Sequence, residues 1–240
     1  MNRLSKAAPA GSVALATLIA VAPSAQSAAP WTTFATVSDG ANSVSEPQVS
    51  MAAGGLTGFA LWQQSVGGHT VVRASRFANG TWAAPVTVTT SGGEAGWPRL
   101  AASSDGTSAW AAWAWDVPNP GVDGVQVARW SGGSWSAPTT VSTNAAAASA
   151  PEVATGTDGS TATVIFRESG NGGPRYRVRS YAASTWSSAV NLAADGAPSF
   201  EGRVAQSGDG STAVAVWSRG SAGSEVIQTG AQPVGIDYML

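Results

Sequence analysis

A pattern of about fifty residues, written four times, constrains this chain more than any other feature. Trp31, Trp82, Trp135 and Trp186 stand at spacings of 51, 53 and 51. Pro47, Pro98, Pro151 and Gly202 keep the same spacings, and so do Trp62, Trp113, Phe166 and Trp217. Each copy divides into four short runs of strand character; in the third copy these are residues 151–154, 161–166, 176–181 and 186–192. A period of about 50 built from short strands predicts an all-β protein, a β-propeller with one blade of about four antiparallel strands per repeat. The abundance of glycine (29) and tryptophan (11) among 240 residues suits many strands and tight turns rather than helices.

The phase of the repeat predicts how the ring closes. If Trp-x-x-Pro opens the outer strand of a blade, residues 31–38 have no blade before them. The copy running from Glu201 to about Gly230 lacks that same strand. Inserting one into the other gives four blades closed by the N-terminal strand and removes two sheet edges. The propeller then spans residues 30–232, with a tail at 233–240. Two other arrangements fit the same repeat: part of a larger ring, or two chains combined into one ring.

The N-terminus reads as a secretory signal peptide, residues 1–29. Asn2-Arg3-Leu4-Ser5-Lys6 is a short basic segment, an apolar run follows from Ala7 to Pro23, and small residues lead to a cleavage site after Ser27 with Ala25 at position −3. The strongly apolar part, Val13–Val21, is short for a span of about 20 residues. The expected mature protein is extracellular, with no membrane attachment after cleavage. Twelve basic and 14 acidic residues give a net charge of −2, too weak a field to gather nucleic acid. Cysteine is absent, so no disulfide framework or thiol site is available.

Recurring turn residues explain most of the polar pattern. Asp105-Gly106, Asp158-Gly159 and Asp209-Gly210 fall at one bend of successive copies. Turn chemistry accounts for these aspartates better than metal binding or acid catalysis does. Phe77, Trp130 and Tyr181 lie five residues before Trp82, Trp135 and Trp186. A hairpin pairs them across strands, so the repeat-opening tryptophans are expected to be buried and structural.

The segment Arg129-Trp130-Ser131-Gly132-Gly133-Ser134-Trp135-Ser136-Ala137-Pro138 resembles the Asp-box repeat of sialidase-like propellers, Ser-x-Asp-x-Gly-x-Thr-Trp. Gly132-x-Ser134-Trp135 fits its second half, and Thr81-Trp82 and Thr185-Trp186 fit its last two positions. The aspartate position is aromatic before three of the four tryptophans, at Phe77, Trp130 and Tyr181. The resemblance implies a sialidase-like propeller fold. Sialidases also require an arginine triad, a tyrosine nucleophile with a glutamate partner, and an aspartate acid/base, none of which can be placed here residue by residue. Trp-rich repeats of this rhythm also occur in propeller lectins.

Two groups of residues depart from pure framework. The first strand of each blade is expected to line the channel, where Gln48, Arg99, Glu152 and Arg203 occupy one column. Glu46, Trp97, Ala150 and Glu201, two residues earlier, are expected to share its face. Arg99 and Arg203 there read either as an anion site or as members of a salt-bridge ring that fills the channel. The second group belongs to the second copy, whose 116–124 loop carries the two extra residues. Trp97, Trp110 and Trp115 read as aromatics peculiar to this copy. Flat aromatic faces beside carboxylates suit stacking and hydrogen bonding to sugars.

The predicted ligand site is therefore Trp97, Arg99, Trp115, Asp116 and Asp123, with Arg203 across the channel. No metal site is predicted, because two loop carboxylates fall short of a calcium pattern. No cofactor is predicted either, since no glycine-rich nucleotide loop or zinc ligand set is present. Catalytic residues stay unassigned: His69, the only histidine, reads as a solvated loop residue, and Glu46, Glu94, Glu201 and Asp116 are the carboxylates open to a glycosidase. The expected function is non-catalytic binding of a glycan or another extracellular ligand. A sialidase-like glycoside hydrolase, complete or incomplete in this chain, and a structural or protein-interaction propeller are the alternatives.

Overall fold

Tight turns and alternating apolar residues make this chain pair with itself locally, strand after strand. The computed structural model describes residues 35–40, 42–90, 92–116, 123–143, 147–169, 173–192, 198–220 and 224–234. Its strands all belong to one unit, residues 36–240. The signal peptide, Trp31–Phe34 of the closing strand, and most of the C-terminal tail lie outside the described residues.

Blade one consists of β1 (Val44–Met51), β2 (Thr57–Val66) and β3 (His69–Ala78), with β4 (Thr81–Trp82) and β5 (Val86–Thr87) on the outer edge of β3. Blade two repeats this with β6 (Glu94–Ala102), β7 (Ser108–Asp116), β8 (Gly124–Ser131), β9 (Ser134–Trp135) and β10 (Thr139–Thr140). Blade three has β11 (Ala148–Thr155), β12 (Ala162–Glu168), β13 (Arg175–Ala182), β14 (Thr185–Trp186) and β15 (Val190–Asn191). Blade four has β16 (Ser199–Gln206), β17 (Thr212–Arg219) and β18 (Val226–Pro233). Every pairing is antiparallel. The expected outer strand is present in three blades but split in two. In blades one and two the gap holds Pro85 and Pro138, which have no N–H to give to the ladder.

Two of the three sequence columns turn out to be one structural device. In each first strand the register slips by one residue, so that Glu46-Pro47 faces Trp62, Trp97-Pro98 faces Trp113, Ala150-Pro151 faces Phe166 and Glu201-Gly202 faces Trp217. These are β-bulges of two residues against one. Their leading residues all have positive φ: Glu46 49°, Trp97 48°, Ala150 47° and Glu201 49°. The bulge overturns the expectation that Glu46, Trp97, Ala150 and Glu201 share a face with the residues two further on. An extra residue breaks the period of two on which that alternation rests.

Gly202 departs from proline for a steric reason. A Cβ there would lie 2.6 Å from the Tyr176 ring of blade three and 3.0 Å from Ile165 Cδ1. Blades one and two carry Val72 and Val125 in the Tyr176 column, which leaves room for Pro98 and Pro151 in the blades that follow them.

The core is a series of interfaces between successive blades. Leu61, Val72 and Ala74 of blade one pack on Ala95, Trp113 and Trp115 of blade two. Trp110, Ala112 and Val125 pack on Ala148, Val153 and Phe166. Ile165, Tyr176 and Val178 pack on Ala215 and Trp217. Backbone hydrogen bonds stitch the same junctions: Ala53 N–H to Ser104 O (2.8 Å), Asp105 N–H to Thr157 O (3.0 Å) and Thr157 N–H to Gly208 O (2.7 Å). Gly159 sits so close to blade two that a Cβ would meet Ser108 Cβ at 2.4 Å, and its carbonyl accepts from Trp110 Nε1 at 3.1 Å.

The aromatic hairpins form as expected in pairing but not in depth. Phe77–Trp82 and Tyr181–Trp186 both have ring centroids 5.3 Å apart. Trp82, Trp135 and Trp186 are only partly buried, because they lie on the outer edge of each blade. Trp110 is not peculiar to its copy. Phe59 holds the same column in blade one, and both meet the aromatic hairpin of the next blade edge-on, Phe59 against Trp130 at 5.0 Å and Trp110 against Tyr181 at 4.7 Å.

The candidate ligand cleft between blades two and three

A cleft of about 490 Å³ opens where β6 begins, β7 ends and β8 begins, against the start of β11 and the end of β12. Trp97, Trp115, Asp116 and Asp123 of the predicted site line it together, joined by Glu94 and by Arg167 of blade three. Arg99 and Arg203 do not belong to this cleft. Arg99 Nε lies 2.8 Å from Glu152 Oε1, and Arg203 Nη1 lies 3.2 Å from the same oxygen. The predicted set therefore separates into a cleft of four residues and an arginine–glutamate–arginine cluster on the first strands.

The two cleft tryptophans differ. Trp97 is the bulge residue of β6, in a left-handed conformation that costs an L-residue about 1–2 kcal/mol. Its side chain is 49% exposed. Trp115 is buried in the blade one–two core, and a Cβ on Gly93 would strike it at 2.5 Å. Trp115 is a wall of the cleft, whereas Trp97 presents its indole to solvent.

The carboxylates are ordered by their partners. Glu94 accepts from Thr70 N–H (2.7 Å) and meets His69 Nδ1 at 2.9 Å. The backbone hydrogen bond first, and His69 second, hold its pKa below the usual carboxylate range. His69 is thus half-exposed but paired, not simply solvated. Asp116 ends β7 and Asp123 precedes β8. The Asp123 carboxyl beside it first, then slight desolvation and the nearby negative charge of Asp123 and Glu94, raise the Asp116 pKa. No set of three or more metal-ligating side chains gathers among the described residues.

Sequence reading did not single out Arg167. A signal was available: it follows Phe166 in the third copy, where the other copies carry Gln63, Ala114 and Ser218. Among the described residues it forms no ion pair, so its cation is available to the cleft. Tyr176, by contrast, is almost fully buried in the blade three–four core, and burial pushes its phenol pKa up. That position gives it no access to the cleft as a nucleophile.

The sequence matches no described protein family and no curated protein. The fold does match solved structures. A Hadza microbial sialidase superposes with a TM-score of 0.54 at 15% identity, covering 78% of this chain and 44% of the sialidase. An α-L-arabinanase of Penicillium chrysogenum, solved with arabinobiose, superposes with a TM-score of 0.46 at 11% identity, covering 72% of this chain and 56% of the arabinanase. This is a propeller fold of the sialidase-like kind. The chain spans about half the length of these two structures, and at such identities the likeness is one of fold alone.

Proposed function

We propose that this chain is a non-catalytic, glycan-binding propeller and that the cleft between blades two and three is its binding site. The observation that carries the reading is Trp97, held half-exposed by a β-bulge in a cleft that Asp116 and Asp123 also line. An exposed indole offers its face to the apolar side of a sugar ring. Asp116 and Asp123 present carboxyl oxygens that accept from neighbouring sugar hydroxyls. Arg167 adds fixed donors from the opposite wall. Fold likeness to a sialidase is compatible with a saccharide ligand.

The same geometry disfavours hydrolysis. Glycosidases hold two carboxyls roughly 5–5.5 Å or 6.5–9.5 Å apart, across the scissile bond. Asp116 and Asp123 both line the cleft from its blade-two side, at the end of β7 and just before β8, rather than from opposite sides of it. The arginines on the first strands are occupied by Glu152 rather than arranged around the cleft.

The protein is further proposed to be exported with loss of its first 27 residues. N-terminal sequencing of the secreted form should begin at Ala28. A glycan-array screen of that form, run beside chromogenic sialidase and arabinanase assays, tests the function. Selective glycan binding without turnover is expected, and Asp123→Ala should abolish the binding. Turnover that disappears in Asp116→Asn would establish the enzyme reading instead.

A further inference from the structure

The cleft between blades two and three is unbalanced in charge. Among the described residues that line it, four are charged: Glu94, Asp116 and Asp123 on blade two, and Arg167 on blade three. The segments that join the strands around it, residues 117–122, 144–146 and 170–172, contain no charged residue. His69 Nδ1 meets Glu94 at 2.9 Å and offsets it only when protonated. Three carboxylates thus face one guanidinium with His69 neutral, and two cations with it protonated. Arg99 and Arg203 contribute nothing here, since Glu152 holds both outside the cleft. Asp116 registers the excess: the Asp123 carboxyl first, and the charge of Glu94 last, raise its pKa. The aromatic walls favour the same kind of ligand. The face of an indole attracts a cation, and both Trp97 and Trp115 line the cleft.

We infer that the saccharide taken by this cleft is cationic, a sugar bearing a protonated amine, and not an acidic one. The inference rests on the reading of the cleft as a glycan site and names the class of glycan. Carboxylates beside an indole face attract an ammonium by charge and by cation–π contact, and they repel a carboxylate. Arg167, on the blade-three wall, donates to the neutral hydroxyls of the same saccharide. A bound ammonium also relieves the repulsion among the blade-two carboxylates.

Calorimetry with matched tetrasaccharides tests it. One set carries an amine (glucosamine), an amide (N-acetylglucosamine) or a carboxylate (glucuronate), and a galacto-configured set carries the same three groups. At pH 6 and low salt, the amine of one set should bind about tenfold or more tighter than its amide, with no measurable binding of the carboxylate. Added salt should shrink that ratio, because the preference is electrostatic. Glu94→Gln, which keeps an acceptor for Thr70 N–H, should narrow the ratio of amine to amide affinity. Arg167→Gln should widen it. Equal affinity for amine and amide, or tighter binding of the carboxylate, would overturn the inference and leave the glycan site standing. Binding confined to neutral glycans of the array would do the same. Absence of binding to every saccharide, on the array and in both sets, would overturn the glycan reading itself and this inference with it.

Discussion

Ala183 and Ser184 occupy both central positions of the last aromatic hairpin with φ of 49° and 65°. The equivalent turns use Asn79-Gly80 and Gly132-Gly133, residue types suited to two positive φ angles. Replacing Ala183-Ser184 by Asn-Gly should raise stability by about 1 kcal/mol, read from the shift in a urea unfolding midpoint. Two aspartates give opposite dependences on pH. Asp209 accepts from Ser207 Oγ, Ser211 N–H and Ser211 Oγ, which lowers its pKa to about 2. A lowered folded pKa means its contribution is present above the ordinary aspartate value and is lost as pH falls toward 2. Asp116 has a raised pKa, led by the Asp123 carboxyl beside it, so its contribution is present at acid pH and is lost as pH rises through that raised value. Asp209→Asn should therefore destabilise at pH 7 and much less at pH 2. Asp116→Asn should not destabilise at pH 7, and melting curves across that range check both signs.

At the scale of the element, the bulge is what converts a repeat into a site. Glu46, Trp97, Ala150 and Glu201 share one backbone conformation but no chemical type, so no residue signature marks it. The sequence shows its two flanks instead, as the proline column and the aromatic column opposite. The Gly202 exception tests this account. Gly202→Pro should cost about 1–3 kcal/mol by forcing the pyrrolidine ring against Tyr176. Adding Tyr176→Val, the residue type found at 72 and 125, should recover part of that loss in a double-mutant cycle. The turn aspartates were legible because their chemistry is local: Asp158 accepts from Ser160 N–H at 2.9 Å, within the same bend. The burial of Trp115 was not legible, because it depends on Gly93 and on blade one rather than on its own copy.

For the whole molecule, the blade order and the propeller fold were readable from spacing alone, since each blade is one local antiparallel unit. The cleft was readable only where the second copy broke the pattern, at Trp97, Asp116 and Asp123. Arg167 comes from the next blade, and its approach depends on how blades stack, which spacing does not encode. Arg99 and Arg203 were assigned by column and do stand on the first strands, β6 and β16, where Glu152 pairs with both, outside the cleft. The central claim is that Trp97 stacks on a sugar. Titrating the wild-type protein and Trp97→Ala with an array-selected glycan, followed by calorimetry, tests it most directly. Loss of a stacked aromatic should weaken binding at least tenfold, about 1.4 kcal/mol, with little change in melting temperature because the indole is half-exposed. Equal affinity of the two proteins for that glycan would contradict the account.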